Sequence, residues 1–327
     1  MRRFMVSAAA AALCVMPALT GCQKSVVDVE SSAEKVKLEI SIPIAETKVI
    51  GGADETAIRN YQVFLFNDQE VLEAYVNKNT SDISMNCTMG NKTVAVLVNA
   101  PALNDVTTLS GLMGKQSLLS HNAADAFVME GKVPVSIETT EDVSVEVPVY
   151  RKVSKVELVS VVTAFELPQH REAEFTVSSV YMINVAADAK YFGTSDPTLW
   201  YNKSGYVQTD DNLLIYDDMN DLAVNADAPY SKANAFYCYP NHAGSDSFAV
   251  EWCPRNTRLV VETKLDDETY YYPVTLPLLE QNKRYEVSLT ITRPGSYVPD
   301  TIVDKFAAEF TVLVKDWEEG APVSEEI

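Results

Sequence analysis

The residue with the most definite chemistry is Cys22. It closes the run Leu19-Thr20-Gly21-Cys22, behind Arg2, Arg3 and an apolar, alanine-rich stretch from Phe4 to Val15. A short positive region, an apolar run too brief to cross a bilayer as a stable helix, and small residues before a cut read as a secretory signal over residues 1–21. The four-residue run matches the bacterial lipobox, in which the cysteine becomes residue one of the mature chain. Its thiol is the only side chain there that can form the thioether to diacylglycerol. Acyl chains contribute about 0.8 kcal/mol per buried methylene. Lipid at Cys22 is therefore expected to hold the chain to a membrane.

The other chemically capable residues form no recognisable site. His121, His170 and His242 lack a second histidine at metal-ligand spacing and read as exposed loop residues. No G-x-S-x-G elbow and no phosphate-cradling glycine loop occurs. Asp210, Asp211, Asp217, Asp218 and Asp221 cluster without the alternating ligands and central glycine of an EF-hand. They read as a solvated acidic loop. The sequence thus predicts no enzyme, no metal and no cofactor. Cys87, Cys238 and Cys253 remain after Cys14 leaves with the signal, with no C-x-x-C among them. Phe236–Tyr239 and Phe248–Cys253 flank Gly244-Ser245-Asp246-Ser247. A hairpin there would bring Cys238 and Cys253 to disulfide range; the alternative is two small buried apolar residues.

The elements that must carry these residues are strands. The 327 residues hold 26 Lys and Arg against 46 Asp and Glu, a net charge of −20 that becomes −22 once Arg2 and Arg3 leave with the signal. So acidic a surface repels phosphate backbones, so no nucleic acid is expected as a partner. Roughly 300 mature residues suggest two domains. Val36, Leu38, Ile40, Ile42 and Ile44 alternate with Lys37, Glu39, Ser41 and Pro43, a period of two. The stretch from Ala45 to Asn60 is polar and reads as an exposed loop. Tyr61–Phe66 and Thr93–Val98 are continuously apolar apart from Gln62 and Thr93, as in strands buried on both faces. Leucines in Thr107–Ser120 suggest a short helix or two. Val133–Ile137 and Val143–Val149 suggest a hairpin. Further strands are expected at Val156–Phe165, Phe175–Val185, Leu259–Lys264, Tyr270–Leu276, Arg284–Arg293 and Phe306–Val314, with an irregular stretch over Tyr191–Ser231. The expected fold is all-β: two tandem Greek-key β-sandwich domains, 22–150 and 151–327, with short helices in loops.

The order of several pieces resembles the fimbrillins of Bacteroidales, the fimbrial subunits that build type V pili. These pieces are the lipobox, Val36–Ile44, Tyr61–Asn67, and Val94-Ala95-Val96-Leu97-Val98-Asn99-Ala100. They continue with Val147–Val156, Asn282-Lys283-Arg284-Tyr285-Glu286-Val287, Thr292-Arg293-Pro294-Gly295-Ser296, Phe310–Val314 and Asp316-Trp317. The resemblance implies transthyretin-like sandwiches and a lipidated precursor anchored at the outer membrane. It implies a trypsin-like protease that cuts after a basic residue behind the first strand, making 22–48 a propeptide. It also implies other fimbrillin subunits as partners, one of which fills the vacated groove with a C-terminal strand. The family's cut usually follows an arginine. Here the best-placed residue is Lys48, and the only arginine of the loop, Arg59, abuts the next strand.

The residues themselves support such an exchange. Phe306, Ala308, Phe310, Val312 and Val314 present an apolar face with the same period and a similar length as Val36–Ile44. Two such strands can occupy one groove in turn, as in donor-strand complementation. The plainer alternative is that both are intramolecular edge strands. The function implied is a structural pilin supporting adhesion to host or bacterial surface ligands. The rival is a monomeric surface lipoprotein that binds glycan or a host ligand, with Trp200, Tyr201, Tyr206 and Tyr216 as stacking aromatics. Asp300-Thr301-Ile302 also resembles the Bacteroidales O-glycosylation tripeptide.

Overall fold

The computed structural model describes residues 35–43, 55, 57–123, 125–204, 215–225, 228–232, 234–243 and 252–317. The first strands along the chain are β1 (Val36–Ser41), β2 (Tyr61–Phe66), β3 (Leu72–Lys78), β4 (Ile83–Cys87) and β5 (Gly90–Val98). Then come β6 (Gln116–Leu118), β7 (Met129–Ile137), β8 (Val143–Glu146), β9 (Tyr150–Arg151) and β10 (Ser154–Thr163). They are followed by β11 (Phe175–Ile183), β12 (Val185–Ala186), β13 (Asp188–Lys190), β14 (Trp200–Tyr201) and β15 (Tyr216–Ala223). The last are β16 (Asn234–Cys238), β17 (Arg258–Leu265), β18 (Glu268–Thr275), β19 (Lys283–Ile291) and β20 (Ala308–Asp316). Short helices occur at α1 (Leu109–Met113) and α2 (Pro168–Glu172). The class is all-β, as the period-two pattern requires.

A five-stranded sheet, β3-β2-β5-β7-β9, faces a three-stranded sheet, β4-β1-β8. Val63, Leu65, Val94 and Val96 meet Leu38, Ile40, Ile83 and Met85 between them. The opposite parity of β2 and β5 is apolar for a separate reason. Phe64, Phe66, Ala95 and Leu97 enter a second cluster that Leu112 of α1, Tyr191 and Phe192 cover. Both faces of β2 are therefore dry, and its sequence cannot alternate. Helix α1 starts where Thr108 Oγ1 accepts from the Gly111 N–H at 3.1 Å, a side-chain N-cap.

A second pair of four-stranded sheets, β16-β10-β19-β20 and β15-β11-β17-β18, encloses another core. Val156, Leu158 and Val161 from one sheet pack with Val177, Val180, Leu259 and Val261 from the other. Strands β10 and β19 run parallel, with a bulge between Leu158 and Ser160. The β17–β18 hairpin turns at Asp266, whose φ of 53° lies in the left-handed region that short aspartates tolerate.

The two sandwich cores interlock. Strand β6 pairs with β13, Leu119 and Phe127 lie in the second core, and Tyr191 and Phe192 lie against the first sheet pair. The chain thus crosses the Tyr150 boundary in space in both directions.

Three expectations change. Strands β7 and β8 form no hairpin: β7 pairs with β5 and β9, while β8 pairs with β1. Val143 and Val145 pack against the core between the two sheets, and β1 supplies the ladder there. The stretch 191–231 contains β14 and β15, because edge strand β15 needs only one apolar face, contributed by Met219 and Leu222. The last strand begins at Ala308 rather than Phe306. Phe306 lies in the preceding turn and is 59% exposed.

Candidate functional site

Strand β1 is the centre of the small sheet. It runs antiparallel to β4 and parallel to β8, so Leu38 lies opposite both Met85 and Val143. Past the end of β8 the ladder continues. Val147 N–H donates to Ser41 O at 2.9 Å and Val149 N–H to Pro43 O at 3.4 Å. Val36, Leu38, Ile40 and Ile42 are each 9% exposed or less and point into the core, while Lys37 and Glu39 face solvent and pair at 2.6 Å. A strand in this position is held by main-chain bonds on both edges and by alternate apolar side chains. Ile44, the fifth apolar position, lies outside the described residues, as do Cys22 and Lys48.

Arg59 is described, and its backbone is tied down. Its N–H donates to Asn99 Oδ1 at 2.7 Å, and the Ala57 N–H donates to Asp125 O at 3.0 Å. Its exposed guanidinium pairs with Asp125 at 2.9 Å. Asn99, with φ 58° at the end of β5, also donates from Nδ2 to Ala57 O and Phe127 O. Two residues after Arg59 the chain enters the fully buried β2. Arg59 thus presents an exposed side chain on a backbone held by hydrogen bonds at Ala57 and Arg59.

Glu55 shows where the β1–β2 connection is fastened. Its carboxylate accepts from Lys155 Nζ at 2.7 Å, Tyr237 OH at 2.8 Å and Trp317 Nε1 at 3.0 Å. Burial pushes its pKa up, but these donors, Lys155 first, outweigh that and hold the carboxyl below its ordinary value. Trp317 follows directly on β20. Its ring stacks on Tyr237 at 5.8 Å, meets the edge of Phe127 at 5.4 Å, and lies under the Arg151 guanidinium at 5.0 Å. The segment behind β1 and the end of β20 are thus fixed to one another through a single carboxylate. Sequence reasoning passed over Glu55 because nothing local separates it from other loop acids. The available signal was Trp317, a large aromatic in an acidic terminal segment.

Strand β20 is an edge strand, antiparallel to β19 from Lys283↔Asp316 to Ile291↔Ala308. Ala308 is buried, and Phe310 and Val312 are half-buried against the second core. Phe306 and Val314 are exposed, at 59% and 47%. Three of the five even positions therefore share the core face.

Several other residues lie elsewhere than the sequence suggested. Cys238 and Cys253 are not joined by a disulfide. Cys238 lies in β16, whose ladder partner is β10 with Cys238 opposite Ser154, and complete burial pushes its thiol pKa up to about 12. Residues 252–257 are not in a strand, so no hairpin partner faces it from Cys253; 244–251 lie outside the described residues. Of the histidines only His242 is exposed. His121 is half-buried with Nδ1 accepting from Leu118 N–H, and His170 packs its ring edge-on to Phe165. Trp200 is no surface platform, being buried against Trp252 at 5.2 Å. Tyr216 is 43% exposed, and Tyr206, Asp210 and Asp211 lie outside the described residues. Asp217 binds Lys232 and Asp221 binds Lys264. Among the described residues no group of three or more His, Cys, Asp or Glu is arranged to hold a metal. Thr301 is exposed beside Asp300, which pairs with Arg255 at 2.8 Å.

No protein-family model and no curated protein matches the chain. Solved structures do. A candidate cell adhesion protein from Bacteroides eggerthii superposes with a TM-score of 0.67 at 18% identity, covering 87% of this chain and 97% of that one. A second, from Parabacteroides distasonis, has a TM-score of 0.64 at 16% identity over 87% and 99%. A fimbrilin from Porphyromonas gingivalis has a TM-score of 0.62 at 16% identity over 86% and 97%. At such identities the likeness establishes the fold. That fold extends over almost the whole of each relative.

Proposed function

We propose that this chain, which has the fold of a fimbrilin, is a structural and non-enzymatic subunit of a cell-surface fimbrium that supports adhesion. It is exported as a precursor lipidated at Cys22, cut behind β1, and joined to its neighbours by strand exchange. The observation that carries the proposal is the place of β1. A strand in the middle of a sheet, with every core-facing residue from Val36 to Ile42 buried, leaves a long apolar groove when it departs. Two facing sheet edges with unpaired main-chain groups are a template for another strand. Lys48 is the proposed cut site, since Arg59 is held by Asn99 and abuts β2. The proposed donor is β20, with Ala308, Phe310 and Val312 as its inserting face. Donation requires β20 to leave β19, and the Glu55–Trp317 contact ties that departure to the segment behind β1. The division into units 22–150 and 151–327 belongs to the same proposal.

Electron microscopy of sheared cell-surface material, with antibody to this chain, tests it. Labelled filaments whose subunit begins near Val49 are the expected result. Surface protein that is wholly monomeric and begins at Cys22 refutes assembly and favours the monomeric lipoprotein.

A further inference from the structure

Lys152, Gln281 and Glu130 meet where the two sandwich cores join. Lys152 stands between β9 and β10, Glu130 is in β7, and Gln281 is in the turn before β19. Lys152 Nζ lies 2.8 Å from Gln281 Oε1 and 3.9 Å from Glu130 Oε1, and Gln281 Nε2 lies 3.4 Å from the same Glu130 oxygen. The lysine side chain is 2% exposed and the glutamate 15%. Main-chain bonds hold all three in register. Asn282 N–H donates to Val153 O at 3.0 Å, Ser154 Oγ donates to Glu280 O at 2.7 Å, and Lys152 N–H donates to Val128 O at 2.9 Å. An amine, a carboxamide and a carboxyl are thus confined together with little water, the amine hydrogen-bonded to the carboxamide oxygen.

We propose that Lys152 and Gln281 become joined by an intramolecular amide bond, with Glu130 as the proton carrier. The Lys152 ammonium gives a proton to Glu130. The neutral Nζ then attacks Gln281 Cδ, forming the C–N bond of a tetrahedral adduct. Glu130 gives that proton to the departing nitrogen, the Cδ–Nε2 bond breaks, and the departing ammonia takes the surplus Nζ proton with it as ammonium. The products are one secondary amide and one ammonium ion, with the Glu130 carboxylate restored and no oxidant or second reactant needed. Burial is the largest influence on both ionisable groups. It lowers the Lys152 pKa and raises that of Glu130 despite their mutual attraction, which favours the neutral amine. The bond would staple the turn before β19 to the start of β10, the parallel pair at the centre of its sheet. This inference stands independently of fimbrial assembly, since it concerns the folded monomer alone.

Intact-mass spectrometry of the folded mature chain is the test, followed by tryptic mapping. The expected mass is lower than that of the sequence by one ammonia, and the digest contains a branched peptide joining Lys152 to Gln281 with no cut after Lys152. Lys152→Arg and Glu130→Gln should each restore the full mass. The full sequence mass in folded wild-type protein after prolonged incubation overturns the proposal, and leaves Lys152 and Glu130 as a charge pair only. An ammonia deficit that maps to any other residues overturns it as well. The mapping is done on the wild-type chain, so neither outcome depends on how the variants fold.

Discussion

A chain beginning at Val49 lacks β1, and the structure sets what that deletion costs. Val36, Leu38, Ile40 and Ile42 lose their burial, about 6–12 kcal/mol at about 1.5–3 per side chain, an upper bound because unfolded chains are partly compact. The same deletion strips ladder partners from β4 between Ile83 and Cys87 and from β8 between Val143 and Glu146. Each main-chain bond lost adds about 0.5–1.5 kcal/mol. The total is comparable to the whole stability of an ordinary domain, about 5–15 kcal/mol. The shortened chain must therefore either loosen the β4–β8 sheet or fill the groove with another strand. Size-exclusion chromatography with light scattering, run at rising concentration, should show self-association that the chain beginning at Ser25 lacks. A peptide of residues 35–43 added in trans should return the shortened chain to monomer. The same peptide with Leu38→Asp should not, since the charge would enter an apolar groove. A shortened chain that stays monomeric at high concentration, with the thermal midpoint of the longer one, refutes the idea that β1 fills a groove.

Three further outcomes follow from single residues. Phe310→Asp should block polymerisation far more than Thr311→Asp, because Phe310 shares the core-facing parity and Thr311 is exposed; equal loss in two folded monomers removes β20 as donor. Glu55→Gln should lower stability at neutral pH and flatten its fall in acid. The carboxyl is held below its ordinary value of 4.5 in the folded state, so its stabilisation is complete above that pH and lost as pH falls through the folded value; parallel acid-unfolding curves for the two proteins would exclude this role. Cys22→Ala should abolish lipid labelling and membrane retention of the precursor, and unchanged labelling would show that the lipobox was misread.

Much of this molecule is written in local pattern. Val36 to Ile42 alternate because one face is buried and the other meets water, and β1 has that burial in the structure. Tyr61–Phe66 does not alternate because α1 and the 191–192 segment cover the face that would otherwise be wet. The all-β class followed from such runs, and so did the one-faced burial of β1. Cys22 and Lys48 remain sequence inferences, as both lie outside the described residues. What the sequence could not determine is pairing, because period two states which side chains share a face and never which edges meet. Val133–Ile137 and Val143–Val149 look like a hairpin by proximity, yet β8 lies beside β1, more than a hundred positions earlier in the chain. Cys238 and Cys253 look bridgeable for the same reason, yet Cys238 lies opposite Ser154 of β10 and Cys253 is in no strand. Glu55 with Trp317, 262 positions apart, and Lys152 with Gln281, 129 apart, are long-range contacts. Such contacts arise only when sheets stack, since burial and charge then select partners that adjacency along the chain never brings together.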